Sequence, residues 1–427
     1  MRANLMLALL VLAYICSYLD RQILSLMVGP VRASLHISDF EISLLQGFAF
    51  AIFFALAGLP LGWLADRFNR IWIIAAGVLL WGGMTIACGF ANSFEALFIA
   101  RMGLGIGEAA LAPAGFSLLA DSFEERKLVR AISIFSLGGL LGGGMAFFVG
   151  GALIDFLGST QTTFRIGNLE AWQMAFVVIS VPGLLLVPFL LLLREPPRRG
   201  VGLAASGISE TIAYLWRRRR DYGPFYITAA LLGIANYSGL AWFPTHLMRQ
   251  YGMSPTRVGV IMGVIQLTGC ILGTILGASL TGYFQRKGRL DAHLRTIMFI
   301  SVLAAIGMAA PLMPTVEMAL SVWILFIISS SAYFGSNIAA LQLMTPNTMR
   351  AANSSLLLLI LILGGLAFGT AAVGALADHV FPNSSSGIGH SLALVGISAA
   401  LVSVLVAERN LRHFGEVVRN GFGLDPS

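Results

Sequence analysis

Twelve stretches of about twenty apolar residues recur along this chain, each closed off by charged or turn-forming residues. That recurrence constrains the fold more than any single motif. A run of about 20 apolar residues matches the hydrocarbon thickness of a bilayer. Hydrophobic residues make up 57% of the 427 residues and charged residues 11%, against about 25% charged in soluble domains. Such a chain cannot cover itself with a water-compatible surface and takes lipid as its solvent. A cytosolic enzyme and a nucleic-acid binder do not fit. Cys16, Cys88 and Cys270 all sit inside apolar runs, far apart, and form no disulfide framework or CxxC pattern. No metal and no cofactor are expected. The first run starts at Leu5 and carries Asp20 and Arg21, so it reads as a retained span and not a cleaved signal peptide.

The runs predict spans over 4–28, 41–64, 71–91, 95–118, 129–154 and 171–193, then 222–247, 257–282, 293–313, 317–344, 351–377 and 388–407. The expected fold is all-α and polytopic, with twelve transmembrane helices in two pseudo-symmetric six-helix bundles. Residues 1–193 form the first bundle and 222–407 the second. Residues 194–221 form a basic cytoplasmic linker, and 408–427 a cytoplasmic tail. With the N-terminus inside, 21 Lys and Arg fall on the cytoplasmic side and four outside. The positive-inside rule then places both termini in the cytoplasm. The net charge of +7 is thus a topology signal. Arg217–Arg220 add attraction for anionic lipid headgroups. The halves echo each other. Arg130, Ala131 and Ser133 recur as Arg350, Ala351 and Asn353, and the Gly-rich end near Gly62 recurs near Gly277. Parallel six-span repeats are a common build of secondary transporters, which bind substrate near the midplane.

Three motifs carry chemistry. GWLADRFNR runs from Gly62 to Arg70 at the cytoplasmic end of span two. Gly62 permits close helix approach, Asp66 can face the positive end of a neighbouring helix, and Arg67 and Arg70 can pair with Asp121 or Glu124. Asp20 and Arg21 lie inside span one, where a charge costs roughly 2.5–3.5 kcal/mol on insertion scales. In span four, RMGLGIGEAALAPAG, Arg101 and Glu108 are seven residues apart and share a face, separated by about 10.5 Å of rise. Asp20 falls between them in height. If spans one and four face one cavity, the four residues form a single buried cluster; the alternative is separate structural pairs. Gly103, Gly105 and Gly107 follow no strand and read as close helix packing. Span five packs seven glycines into Ser136–Gly151, which also permits tight packing.

GWLADRFNR resembles the loop signature of the major facilitator superfamily, with Asn69 and Ile71 departing from it. The resemblance implies that Asp66 caps span eleven and latches the cytoplasmic side. The C-half copy, GASLTGYFQRK, has Thr281 in place of the acid. SYLDRQ, LADRFNR, RMGLGIGEAALAPAGFSLLADSF and LREPPR together resemble the Spinster-like group, which contains sphingolipid and lysophospholipid carriers, in its bacterial form. This likeness is dense in the N-half. Organic-anion symporters of the superfamily share the D-R pair and the R-x6-E spacing. The resemblance implies an alternating-access carrier in which Asp20 and Glu108 take up protons.

The C-half spans lack comparable charges. They carry Asn236, Tyr237 and Trp242, then Gln266, then Tyr333, Asn337 and Gln342, which read as either helix-packing groups or substrate-cavity lining. His246 and His379 are expected at the outer surface, in solvent. A cavity charged on one side and neutral, aromatic and Met-rich on the other suits a molecule with a charged head and an apolar body. The expected function is proton-coupled carriage of an amphipathic lipid-like substrate, by a monomer among membrane lipids with no nucleic-acid partner. Carriage of small organic anions such as sugar acids is the alternative. No HExxH, GxSxG or Walker motif occurs, so an enzyme or ATP pump is not supported. Low dielectric opposes ionised Asp20 and Glu108, while Arg21 and Arg101 favour it, so protonation would free the arginines for an anionic headgroup. Asp20→Asn and Glu108→Gln are therefore expected to abolish proton-coupled flux while leaving membrane insertion intact. Unchanged pH dependence of flux in both variants would remove the proton role.

Overall fold

A computed structural model of the chain describes residues 2–159, 167–198, 208–346, 349–382, 384 and 386–419. These residues are helical almost throughout, with no strand among them. In chain order the long helices are α1 (Ala3–Leu26), α2 (Asp39–Ala65), α3 (Arg70–Gly89), α4 (Phe94–Ser122), α5 (Arg130–Gly158), α6 (Ala171–Leu191), α7 (Arg219–Tyr251), α8 (Pro255–Arg286), α9 (Ala292–Leu312), α10 (Val316–Met344), α11 (Ala352–His379) and α12 (Gly387–Arg419). Eleven are long and apolar enough to cross a membrane. The exception, α7, opens on Arg219, Arg220 and Asp221 and is interrupted by Asn236, Tyr237, Thr245 and His246. Several helices are longer than their apolar runs. α12 continues to Arg419, because the helix does not end where the first charge leaves the hydrocarbon. Residues 408–419 of the expected tail are therefore helical, and 420–427 lie outside the described residues. Within the expected linker, 199–207 lie outside them too, and Ile208–Arg217 is a helix. A second unforeseen helix, Val28–Leu35, follows α1.

Local chemistry explains the helix starts. Ser38 and Glu41 form a reciprocal capping box at the head of α2. The Asn69 carboxamide accepts from the backbone N–H groups of Ile71 and Trp72 and so caps α3. Ser93 caps α4 and Thr315 caps α10 in the same way. Large apolar side chains cover the outer faces of the helices, with Leu79, Ile99, Leu185, Ile271 and Leu401 between 50% and 62% exposed. Lipid accepts that surface where water would not.

The described residues fall into two compact units. The first comprises Met1–Val201, Pro244–Leu267 and Ala377–Val380, and the second the remainder. In the first, α1 packs on α5 and α6, α3 packs between α4 and α6, and α2 packs on α4. Trp81 and Trp172 are buried in it. In the second, α9 packs on α10 and α12, and buried Trp323 stacks on Phe243 with ring centroids 3.8 Å apart.

The glycines of α4 set the closeness of its contacts. A Cβ at Gly105 would lie 2.5 Å from the Phe50 carbonyl oxygen of α2, and one at Gly107 would lie 2.6 Å from the Trp81 nitrogen of α3. Gly62 differs from expectation. A Cβ there meets no described atom within 4 Å, so no close approach among the described residues depends on it, whereas Gly277 packs against the Ala332 backbone. Gly105→Val is expected to lower the thermal midpoint in detergent and shrink the monodisperse size-exclusion peak, since overpacking of this kind costs about 1–3 kcal/mol. Gly62→Ala is expected to leave both unchanged.

Candidate functional site

Asp20 and Arg21 are consecutive on α1, so they leave the helix in different directions. Arg21 Nη2 donates to Glu108 Oε2 at 2.6 Å, and the Ser17 hydroxyl, one turn away, donates to the same oxygen at 2.7 Å. The Glu108 side chain is fully buried, and that of Arg21 is 13% exposed. The Arg21 guanidinium also lies 4.5 Å from the ring centre of Phe50 and 4.9 Å from that of Tyr18, so cation–π contact supplements the ion pair. Glu108 ends the first part of α4. The helix is interrupted at Ala109–Ala110 and resumes at Leu111. Pro113 has no N–H to donate back across that break.

Arg101 is completely buried. Its Nε donates to the Leu45 carbonyl at 3.1 Å, and its Nη1 donates to the Asp20 backbone carbonyl at 3.3 Å. Leu45 belongs to a π-helical turn, Leu44–Phe48, inside α2. Such turns recur at functional sites. Arg101 thus spends its protons on carbonyls and not on the Asp20 carboxylate. Asp20 is 1% exposed, with Glu108, Arg101 and Thr85 around it. Thr85 donates its hydroxyl proton to the Trp81 carbonyl at 2.9 Å. Neither Asp20 oxygen then has a hydrogen-bond partner among the described residues, nor do Glu108 Oε1 and Arg101 Nη2. Buried polar atoms are rarely left so. Asp20, Arg21, Arg101 and Glu108 therefore occupy one site, with the pairing set as Arg21 to Glu108. Sequence reasoning missed Ser17, Thr85 and Phe50; Ser17 could have been found from its i+4 spacing to Arg21.

A second cluster forms at the turn between α2 and α3. Buried Arg70 donates to Asp121 at 2.5 Å, to Ser117 at 2.8 Å and to Glu195 at 2.7 Å. Arg198 donates to the Ala65 and Phe68 carbonyls at 3.0 and 2.8 Å, capping the end of α2. Glu195 and Arg198, from LREPPR, were not expected to take part. Arg67 departs from expectation, since its guanidinium lies 3.8 Å from the Trp63 ring centre and pairs with neither Asp121 nor Glu124. The Asp66 side chain lies outside the described residues, so its capping of span eleven remains an expectation. At the equivalent C-half position, Thr281 bonds Gly277, Thr296 and Ser336, joining α8 to α9 and α10.

Of the seven neutral residues, Gln342 donates to the Ser354 hydroxyl at 2.7 Å, and the other six are distributed. In the second unit, the buried Trp242 indole donates to the Thr370 carbonyl at 3.3 Å and Asn337 donates to the Phe225 carbonyl at 3.1 Å. Tyr237 packs against Gly365, Tyr333 is buried and Asn236 is half-buried. Gln266 belongs to the first unit. His246 contradicts the expectation of solvation. It is 1% exposed, edge-on to Tyr251 with centroids 5.6 Å apart, because it shares the buried face of α7 with Trp242 and Phe243, four and three residues before it. His379 is exposed, as expected.

Residues 10–356 match the family described as the Major Facilitator Superfamily. The chain belongs to that superfamily. It is an integral, multi-pass membrane transporter and not an enzyme. The superfamily's solved members include a crystal structure of a bacterial homologue of the human lysosomal transporter Spinster, in an inward-facing, unoccupied conformation. It aligns with 100% of this chain and 99% of its own at a TM-score of 0.81 and 25% identity. The structural likeness to this Spinster homologue thus extends along the whole length. An "MFS-type efflux pump" of Mycolicibacterium smegmatis is 28% identical over 91% of this chain and 88% of its own. A "probable galactarate/D-glucarate transporter" of Bacillus subtilis is 27% identical over 76% of this chain and 74% of its own.

The Arg21–Glu108 contact makes a stability prediction. Arg21→Gln leaves Glu108 buried with Ser17 alone, and is expected to cost about 3–5 kcal/mol. Adding Glu108→Gln is expected to recover a large part of that loss, read as thermal midpoints of the three variants in one detergent.

Proposed function

We propose that this transporter is a proton-coupled secondary carrier that moves an amphipathic lipid-like substrate, of lysophospholipid or sphingolipid type, by alternating access. One observation carries the reading: Asp20, 1% exposed and with no hydrogen-bond partner for either carboxylate oxygen among the described residues, sits beside the Arg21–Glu108 pair and Arg101. An ionised carboxyl so placed is costly, and a proton removes the cost. Protonation of Asp20 or Glu108 leaves Arg21 and Arg101 with less counter-charge, and an anionic headgroup supplies it. Proton and substrate then compete for the same arginines, and their coupling is reciprocal.

The remaining assignments follow the same reading. Gly62, Asp66, Arg67 and Arg70 belong to the cytoplasmic gate, where Arg70 ties α3 to α4 and to Glu195. Asn236, Tyr237, Trp242, Gln266, Tyr333 and Asn337 line the apolar side of the substrate path. Both termini face the cytoplasm, as the Lys and Arg asymmetry directs. The first bundle spans 1–193 and the second 222–407, and the carrier works as a monomer.

A second reading has its own support. The galactarate/D-glucarate relative favours a small organic anion, and a cluster of two arginines suits a sugar acid as well as a phosphate headgroup. Proteoliposomes with an imposed pH gradient decide between them when lysophospholipids and sugar acids are run side by side. Uptake of lysophospholipid that collapses with the gradient, and no counterflow with glucarate, is expected. Counterflow with glucarate and no competition by lysolipid would install the second reading.

A further inference from the structure

Where the chain turns from α1 to α2, an open cavity of about 480 Å³ is lined by Gly29, Arg32, Ala33, His36, Ile37 and Arg249. Two guanidiniums and an imidazole line it, and no acidic side chain does. The nearby acids are already engaged. Asp39 takes Arg249 in a two-pronged contact, Nη1 to Oδ2 at 2.8 Å and Nη2 to Oδ1 at 2.9 Å. The Asp378 carboxylate accepts from the backbone N–H groups of Asp39 at 3.3 Å and Phe40 at 2.6 Å. Glu41 accepts from the Ser38 N–H, and Glu170 from Ser34.

One carboxylate therefore serves two arginines, and Arg32 has the lesser share. Its Nε approaches Asp39 Oδ1 only to 3.7 Å and donates instead to the Ile37 carbonyl at 3.1 Å. Its terminal nitrogens make no hydrogen bond to any described residue, and its side chain is 43% exposed. The turn between the two helices lines one side of the cavity through His36 and Ile37. His36 sits at φ 53° in the left-handed region, which ends the helix Val28–Leu35 and sets the imidazole at the rim. No described atom lies within 4 Å of where a Gly29 Cβ would stand.

We propose that this cavity is an anion site for a phosphate or carboxylate headgroup, with Arg32 as its principal ligand and Arg249 and His36 beside it. The inference rests on the reading that the carried amphiphile is anionic, and it adds a second recognition point that shares no lining residue with the Asp20 cluster. The planar guanidinium fork of Arg32 suits two-pronged capture of phosphate or carboxylate. Arg249 then has two competing partners, Asp39 and the bound anion. An anion that draws Arg249 away loosens the tie between the start of α2 and the end of α7.

The test uses full-length protein in detergent. Cys16, Cys88 and Cys270 are all buried, so Ala33→Cys introduces a reactive thiol on the cavity wall. Its rate of modification by a methanethiosulfonate reagent is followed at constant ionic strength. The added probes are inorganic phosphate, glycerol 3-phosphate, lysophosphatidate and, as an equally apolar control, zwitterionic lysophosphatidylcholine. The expected result is several-fold slowing by a phosphate monoester, lost when Arg32→Gln is added and partly kept with Arg32→Lys. Slowing by inorganic phosphate or glycerol 3-phosphate assigns the site to the headgroup alone, and slowing by lysophosphatidate only assigns it to the lipid. Equal slowing by lysophosphatidylcholine, undiminished slowing with Arg32→Gln, or no slowing by any anion overturns the proposal. Labelling reads occupancy without flux. Protection in a protein that carries no lysolipid would sink the carrier reading and keep this site, and flux without protection would do the reverse.

Discussion

An ionised side chain in hydrocarbon must be neutralised or paired, and the first compact unit is organised around that requirement. Removing one partner of a buried pair leaves a charge whose desolvation nothing offsets. Arg21 meets Glu108, Ser17 adds a second donor to the same oxygen, and aromatic faces flank the guanidinium. Arg101 is satisfied differently, by two backbone carbonyls. Asp20 is what remains: a buried acid with neither oxygen hydrogen-bonded among the described residues, beside a Thr85 hydroxyl that donates to the Trp81 carbonyl.

The helices deliver that arrangement through defects and not through regularity. The interruption after Glu108 ends one helical segment at the point where its carboxylate is needed. The π-helical turn of α2 places the Leu45 carbonyl within reach of Arg101. Gly105 and Gly107 bring α2 and α3 against opposite sides of α4. Each feature would weaken an isolated helix in water. In lipid, neighbouring helices re-satisfy the backbone, and close packing supplies the association that hydrophobicity cannot.

The two halves share a plan and diverge in chemistry. The N-half turn is held by ions, with Arg70 gathering Asp121 and Glu195. Its C-half counterpart is held by hydroxyls, with Thr281 linking Thr296 and Ser336. The Asn353 region follows the same neutral pattern, taking a hydrogen bond from Tyr226 and giving one to Thr345. Among the described residues, the buried arginines and most of the buried acids lie in the N-half.

Much of this was legible beforehand, for a physical reason. Apolar length reports hydrocarbon thickness directly, so the count of long helices follows from composition and spacing. Buried charges announce themselves because they are expensive, so Asp20, Arg21, Arg101 and Glu108 could be singled out. Helix ends were less legible: α7 and α12 continue past the first charge. Nor was the burial of His246 within α7 foreseen. Partner choice was legible only in part: Asp121 was among the acids expected to meet Arg70, and it does, but most pairings were not foreseen. Helical periodicity states which residues share a face, not which of two carboxylates an arginine turns to. It likewise could not place Arg249 on Asp39 or Glu195 on Arg70, 210 and 125 residues away. The chain by itself determined that charges would be held in lipid and roughly where. Only tertiary packing decided who neutralises whom, because that depends on helix rotation and on contacts a few ångströms long between segments the sequence keeps far apart.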